Sequence, residues 1–245
     1  MIIGINGKIG SGKDTVGKII QYLDAKSREE RDRELAPKLF LPDFKYPSFE
    51  DWCKPKIHNS GHDIGYSSMY EIADSHWQIK KFAGKLKQVA SLLTGIPVEK
   101  FEDQEFKKTE MSEEWSVNGM PMTVREFLQK LGTDAVRDGL HSNTWVNALF
   151  ADYKHIPYFK HEEDLVADIK YPNWIITDVR FPNELSEIKR RGGLVIRVTR
   201  GDKMDYHVSE TALDDYIFEE EIDNNGTIND LIIKVDEILK RRKIL

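Results

Sequence analysis

The segment "GKIGSGKDT", residues 7–15, combines glycines and a lysine at a spacing that suits the binding of phosphate groups. Gly7, four further residues and then Gly12 and Lys13 fit the front of the G-x-x-x-x-G-K pattern. Glycines let backbone N–H groups turn towards phosphate oxygens, and the lysine can bridge the terminal phosphates of a nucleotide. The segment therefore predicts a phosphate-binding loop.

The residue after the lysine departs from this pattern, because Asp14 stands where a serine or threonine usually contacts Mg²⁺. Thr15 comes next and can supply the missing hydroxyl. The metal contact then passes either to Thr15 or to Asp14, whose carboxylate can reach the metal or its water ligands. The sequence leaves both arrangements open.

A second group of polar residues follows the apolar run of "WIITDVRFPNE", residues 174–184. The carboxylate of Asp178 can hold a metal-bound water or accept a proton, unless it only caps the following helix. The Arg180 guanidinium can clamp a phosphate with two hydrogen bonds. Glu184 can orient Arg180 or contact a sugar hydroxyl, and an ordinary surface ion pair between these two residues is the alternative.

A third group lies around "TVREFLQKLGTDAVR", residues 123–137. Thr123 and Glu126, three residues apart, match a capping box that begins a helix. Arg125 falls in the first turn of this predicted helix, where the helix dipole and a guanidinium can act on one anion. A solvated arginine is the alternative. Further along, Trp145 either stacks on a nucleotide base or fills the core.

The spacing of apolar residues predicts the elements that must position these groups. "MIIGIN" is an apolar run typical of a buried strand, and Val16, Ile19, Ile20 and Leu23 form one face of a helix that begins near Lys13. Strand, glycine-rich turn and helix is the context that a phosphate-binding loop requires.

Four more strands are predicted, with helices between them, in "HWQIKKFA", "WIIT", "LVIRVT" and "YIFEEEI". This alternation predicts an α/β fold with a five-stranded parallel sheet flanked by helices. Because the carboxyl ends of parallel strands share one edge of the sheet, Asp178 is expected to face the same crevice as the loop.

Three segments interrupt this alternation within what we interpret as a single domain of residues 1–245. Residues 25–75 contain a charge run, typical of a solvated helix face, and then a mixture of Pro, Gly and aromatic residues without a period. We interpret them as an insertion. "HEEDLVADIKYPN", residues 161–173, is interpreted as an acidic linker. The polar stretch at about residues 200–215 is interpreted as a lid-like loop over the donor nucleotide.

Composition excludes several classes of protein. A net charge of −6 offers no global basic surplus for a nucleic-acid partner. No apolar stretch has the length of a membrane helix, and the single cysteine cannot form a disulfide within the chain. These features predict a protein of the cytoplasm.

The blocks "GSGKDT", "FAGKLK", "REFLQKLGTDAVRDGLHSNTWVNAL", "ITDVRFPNE", "GGLVIRV" and "HVSE" resemble the deoxynucleoside monophosphate kinases of tailed bacteriophages. This resemblance implies the P-loop fold of the nucleoside monophosphate kinases. It also implies transfer of the γ-phosphoryl group of ATP, with Mg²⁺, to a deoxynucleoside monophosphate, which gives dNDP and ADP. A homodimer in the cytoplasm of a phage host is a further expectation.

The resemblance, together with position along the chain, assigns roles to individual residues. ATP is expected to contact Gly7, Gly10, Ser11, Gly12, Lys13, Asp14, Thr15, Arg200 and Asn225, with Asp14 and Thr15 near the metal. The acceptor is expected to contact Arg125, Gly132, Thr133, Trp145, Asp178, Arg180 and Glu184. Lys13, Arg125, Asp178 and Arg180 are the expected catalytic residues. Two other functions compete: a related kinase that resembles animal phosphomevalonate kinase, and a nucleotide-binding switch without transfer activity.

Overall fold

A computed structural model describes residues 1–35, 48–53, 75–158, 168–201 and 211–245. Most of the predicted insertion and most of the predicted lid-like loop lie outside the described residues. The chain divides into two compact units. Unit 1 consists of Met1–Ile79 and His155–Leu245, and unit 2 consists of Lys80–Lys154.

The strands and helices follow one another along the chain and are named here in that order. They are β1 (Ile2–Asn6), α1 (Lys13–Leu35), α2 (Phe49–Trp52), β2 (Trp77–Lys80), α3 (Phe82–Thr94), α4 (Val124–Gln129), α5 (Thr144–Phe150), β3 (Ile156–Tyr158), β4 (Asp168–Lys170), β5 (Asn173–Val179), α6 (Pro182–Arg190), β6 (Leu194–Thr199), β7 (Glu220–Asp223) and α7 (Ile228–Arg241). Helix α4 continues as a π-helix over Lys130–Asp138, and short 3-10 helices lie at Val98–Glu102, Phe106–Lys108 and Glu113–Trp115.

A five-stranded sheet in the order β2-β5-β1-β6-β7 forms the centre of unit 1. Strand β1 pairs in parallel with β5 on one side and with β6 on the other, and β6 pairs in parallel with β7. Residues 2–5 of β1 are apolar because the strand is covered on both faces, and Ile3 and Ile5 are fully buried. The predicted five-stranded parallel α/β fold is confirmed.

Helix α1 packs its predicted apolar face against this sheet. Val16, Ile19 and Ile20 have no exposed surface, and they belong to the same buried cluster as β1 and α7. The helix continues through the start of the charge run to Leu35, in agreement with the interpretation of that run as a helix face.

Two parts of the predicted element pattern differ from the structure. The last strand begins at Glu220 rather than at Tyr216, because Tyr216 and Ile217 are exposed and the pairing with β6 starts at Glu220. Burial of the Glu220 carboxylate is made possible by Arg241 and Arg242, which both donate hydrogen bonds to it. Strand β4, which pairs antiparallel with β3, lies in the stretch that was predicted to be an acidic linker.

Unit 2 has a hydrophobic core of its own, formed by Ala90, Phe101, Met111, Val124, Phe127 and Leu128. Helix α4 begins with the predicted capping box, in which Thr123 Oγ1 accepts from Glu126 N and the Glu126 carboxylate accepts from Thr123 N. Helix α3 ends at Gly95, whose φ of 71° is left-handed. Among the described helices of the chain, none is long and apolar enough to cross a membrane.

Candidate active site

The phosphate-binding loop runs from the end of β1 to the start of α1, as the sequence predicts. Two of its positions require glycine because Gly10 and Gly12 have φ values of 82° and 97°. A Cβ on Gly7 would lie 2.4 Å from Ser11 Oγ and 2.6 Å from Val198 O, so any side chain there would fill the space inside the loop. This cradle fits a chain of phosphate groups.

Lys13 and Ser11 supply polar groups inside the cradle. Lys13 is 9% exposed, and its Nζ donates a hydrogen bond to Lys8 O at 3.1 Å, which draws the ammonium group back across the loop. Ser11 is 3% exposed, and its Oγ has no hydrogen-bond partner among the described residues. A buried hydroxyl without a partner is costly, so the unused hydrogen-bond donor of Ser11 suits an anionic ligand.

Asn224, the residue after β7, contacts this loop. Its contact could not be identified from the sequence. Its Nδ2 donates to Ser11 O at 2.8 Å, and a Cβ on Gly12 would lie 2.4 Å from the same nitrogen. The glycine thus makes room for the asparagine. The neighbouring Asn225, predicted to contact ATP, is exposed and accepts a hydrogen bond from Gly201 N at 2.8 Å. The contact of Asn225 with ATP stays a prediction.

Asp14 and Thr15 lie on the first turn of α1, Asp14 exposed and Thr15 half-buried. Thr177 Oγ1, on β5, donates a hydrogen bond to Asp14 Oδ1 at 2.7 Å. Among the described residues no group of three or more His, Cys, Asp or Glu side chains could hold a metal ion. Mg²⁺ in phosphoryl-transfer sites is held by one or two carboxylates together with phosphate oxygens and waters, so the Asp14 carboxylate fits that requirement.

The three residues predicted at the end of β5 and beyond it adopt different environments. Asp178 lies within β5 and is 9% exposed, and Arg180 follows the strand and is half-buried. Glu184 is 2% exposed, and its Oε2 accepts from Arg180 N at 2.8 Å and from Phe181 N at 3.1 Å. Glu184 therefore caps the start of α6 and fixes the backbone that carries Arg180. Arg200, also predicted to contact ATP, is exposed just after β6.

The remaining predicted residues belong to unit 2. Arg125 is half-buried and its Nη2 lies 3.4 Å from Gln104 Oε1. Trp145 is 6% exposed and its Nε1 donates to Gly132 O at 2.8 Å, which supports the core alternative left open above. Stacking of Trp145 on a base stays a prediction.

Gly132 and Thr133 lie in the π-helix of Lys130–Asp138. A Cβ on Gly132 would lie 2.9 Å from Leu86 Cδ2, so the glycine lets the π-helix approach α3 closely. Departures from α-helical geometry of this kind often mark functional positions in helices.

A cluster of cations in unit 2 likewise could not be identified from the sequence. Lys87 is 7% exposed and its Nζ forms an ion pair with Glu102 at 2.5 Å. Burial, and then the charge of Lys87, lower the pKa of the half-buried Lys107, while Arg125 and Lys81 act in the same direction. These four cations are here named the unit 2 cation cluster; the Glu102 carboxylate opposes them by raising the pKa of Lys107, but the net effect of burial and charge lowers it. An excess of positive charge at one place suits the binding of an anion. No local pattern joins their positions in the sequence.

Comparison with known proteins agrees with the family resemblance found in the sequence. The sequence model of the family described as deoxynucleotide monophosphate kinase matches residues 64–235, a range that begins after the phosphate-binding loop.

Three viral proteins are similar to the chain. A protein of Acanthamoeba polyphaga mimivirus, which bears the name deoxynucleotide monophosphate kinase in provisional form, is 30% identical over 143 residues, or 55% of this chain and 67% of that protein. The deoxynucleotide monophosphate kinases of Escherichia phage RB69 and Enterobacteria phage T4 are 27% and 29% identical over 120 residues. Each of these matches covers 48% of this chain, and they span 45% and 46% of the phage proteins, less than half of either.

Proposed function

The chain belongs to the deoxynucleotide monophosphate kinase family, and from this premise we propose that it transfers the γ-phosphoryl group of ATP to a deoxynucleoside 5'-monophosphate. The resemblance identified in the sequence is thereby confirmed at the level of the family. The observation that carries the proposed reaction is the glycine loop that surrounds Lys13 and the Ser11 hydroxyl, a group with no hydrogen-bond partner in the described parts of the chain.

The donor side of the reaction is assigned to the phosphate-binding loop. Backbone N–H groups at the start of α1 and the Ser11 hydroxyl would bind phosphate oxygens, supported by the positive end of the helix dipole. Lys13 would leave the carbonyl of Lys8 and stabilise the charge that develops on the γ-phosphoryl group. Asp14 and Thr15 would hold Mg²⁺, which supplies charge neutralisation on the phosphates when it is bound.

The acceptor side is assigned to guanidinium groups and to the residues that the family resemblance marks. Arg180 would bind the acceptor phosphate, since Glu184 holds its backbone in place. Arg125, Gly132, Thr133 and Trp145 are assigned to the acceptor as well. Asp178, largely buried in β5, would orient a water molecule or a hydroxyl of the substrate.

The chemical step needs no covalent intermediate on the enzyme. An oxygen of the acceptor phosphate forms a bond to the γ-phosphorus while the bond from that phosphorus to the β–γ bridging oxygen breaks, and ADP leaves. The attacking phosphate oxygen is already ionised near neutral pH, so no strong general base is required. Positioning and charge stabilisation therefore provide most of the acceleration.

We also propose that the chain forms a homodimer and that it acts in the cytoplasm of a phage host. Both points rest on the resemblance to phage enzymes. Sedimentation velocity of the purified chain tests the first point. A monomer at micromolar concentration would refute it.

The proposed reaction is tested by measuring ADP release from ATP in the presence of each common deoxynucleoside and ribonucleoside monophosphate, with mevalonate phosphate as a further acceptor. We expect release to depend on at least one deoxynucleoside monophosphate. ATP binding without any acceptor-dependent release would instead identify a nucleotide-binding switch, and release with mevalonate phosphate alone would identify the other kinase.

A further inference from the structure

We propose that Thr177 is a positioning residue that fixes the direction of the Asp14 carboxylate for a Mg²⁺-bound nucleotide. This inference rests on the proposed function, because it assumes that the phosphate-binding loop receives ATP with Mg²⁺. It concerns a residue to which the sequence alone assigns no role and which lies on a different element from the loop.

The first observation is the hydrogen bond itself. Thr177 Oγ1 donates to Asp14 Oδ1 at 2.7 Å, a length typical of bonds to an ionised carboxylate. Thr177 has no exposed surface, whereas Asp14 is exposed on the first turn of α1. A buried donor on the sheet therefore holds an exposed side chain of the helix.

The second observation explains why the donor is rigid. Gly17, one turn after Asp14, leaves a notch in α1: a Cβ there would lie 2.8 Å from Thr177 Cγ2 and 3.5 Å from Ile175 Cγ2. The methyl group of Thr177 occupies this notch. Because the methyl and hydroxyl groups of a threonine rotate together, seating the methyl against Gly17 directs the hydroxyl to Asp14.

A purely structural role for Thr177 predicts a different outcome. A buried hydroxyl requires a hydrogen-bond partner wherever it lies, and Asp14 could be no more than that partner. In that case loss of the hydroxyl would lower stability without changing how the protein responds to Mg²⁺. In the proposed role, loss of the hydroxyl lets the carboxylate rotate away, and the deficit appears only when the metal is present.

The test is the equilibrium binding of ATP, measured by calorimetry with excess Mg²⁺ and again with EDTA. Thr177→Val keeps the shape and removes the donor. We expect it to weaken binding of ATP with Mg²⁺ by about 3- to 10-fold, the effect of one hydrogen bond of ordinary strength, and to leave metal-free binding within about 2-fold. Thr177→Ala replaces this variant if the valine variant does not fold, because it removes the hydroxyl without enlarging the side chain.

Thr94→Val is the matched control. Thr94 Oγ1 also donates a short hydrogen bond, to Ala90 O at 2.7 Å, but it does so within α3 of unit 2. This control should bind ATP like the wild type under both conditions. A metal-dependent loss in the control would overturn the proposal, since the effect would then not belong to Thr177.

Thr177→Val should also be measured in the background of Asp14→Asn, which lacks the carboxylate. If Thr177 acts through Asp14, the valine substitution should have no further effect on Mg²⁺-dependent binding once the carboxylate is gone. Equal losses in both backgrounds, or equal losses with and without Mg²⁺, would overturn the inference. The proposed function fails separately, if the wild type shows no acceptor-dependent ADP release.

Discussion

The side-chain nitrogen of Asn224 and the backbone oxygen of Ser11 lie 2.8 Å apart, which joins the end of the last strand to the middle of the phosphate-binding loop. The two residues are separated by 213 positions in the chain. Asn224 is 7% exposed and occupies the space that the absent side chain of Gly12 leaves. The shape of the loop is therefore set in part by β7.

Substitution of Asn224 should weaken nucleotide binding with and without metal. In Asn224→Ala the Ser11 carbonyl loses its donor and the loop can relax into the space below Gly12, so we expect the Kd for ATP to rise about 5- to 10-fold. Calorimetry with Mg²⁺ and with EDTA measures this. Asn229→Ala, at an exposed position of α7, is the control. An unchanged Kd for Asn224→Ala would show that the loop holds its shape alone.

Lys13→Ala should lower kcat by at least about 100-fold, because one preorganised charge at the transferring group contributes on this scale. Thermal unfolding should remain cooperative, since the ammonium group lies at the loop and bonds to the Lys8 carbonyl there. Single-turnover rates with saturating ATP and acceptor give the chemical step directly. Lys18→Ala, at an exposed position of the same helix, should retain the wild-type rate. If Lys13→Ala were as fast as the wild type, the lysine would have no part in the mechanism.

Arg180→Ala should raise KM for the acceptor much more than KM for ATP. Loss of the guanidinium is expected to raise KM for the deoxynucleoside monophosphate by about 10- to 100-fold while KM for ATP changes by less than about 3-fold. Arg190→Ala is the matched control, because Arg190 is an exposed arginine of α6 that pairs with Glu187. Equal increases of both KM values would contradict the assignment of Arg180 to the acceptor.

Substitution of Lys107 should raise the stability of the protein and lower its affinity for the acceptor. Burial, and then Lys87, lower the pKa of Lys107 in the folded protein below its value in the unfolded chain. The folded state therefore binds the proton less tightly, and carrying the charge destabilises it at pH 7. This cost disappears as pH rises from the lowered folded pKa towards the ordinary lysine value.

Lys107→Gln removes that cost, so without ligand the variant should melt about 1–2 °C above the wild type at pH 7, and the difference should shrink towards about pH 10. Its affinity for the deoxynucleoside monophosphate should fall several-fold if the unit 2 cation cluster binds the acceptor phosphate. Differential scanning calorimetry and acceptor titrations test the two halves. A variant that is both less stable and unchanged in binding would assign Lys107 to a structural ion pair.

Local patterns were sufficient to predict the loop, the sheet and most helices. Each depended on neighbours in sequence: the glycine spacing before Lys13, the apolar run of β5, and the Thr123–Glu126 capping box. The sequence predicts too early a start for β7, because Tyr216 and Ile217 have high strand propensity, although the structure leaves both exposed.

Contacts between residues that are far apart in the sequence could not be predicted from local patterns. The Thr177–Asp14 bond spans 163 positions, and neither residue carries a local signal of the other. The contact of Asn224 with the loop could not be predicted for the same reason, since adjacent asparagines in a turn look alike until the fold buries one of them. The role of Asn225 itself remains a prediction.

The notch at Gly17 couples the size of the side chain at position 17 to the size of the side chain at position 177. Any side chain at position 17 would collide with the threonine methyl, and a bulkier residue at position 177 would collide with the helix backbone. Among homologues, the identities at these two sites should therefore covary, with a larger residue on the helix matched by a smaller one on the strand. Wherever such an exchange has removed the hydroxyl, that lineage must orient the aspartate at the start of the helix by other means.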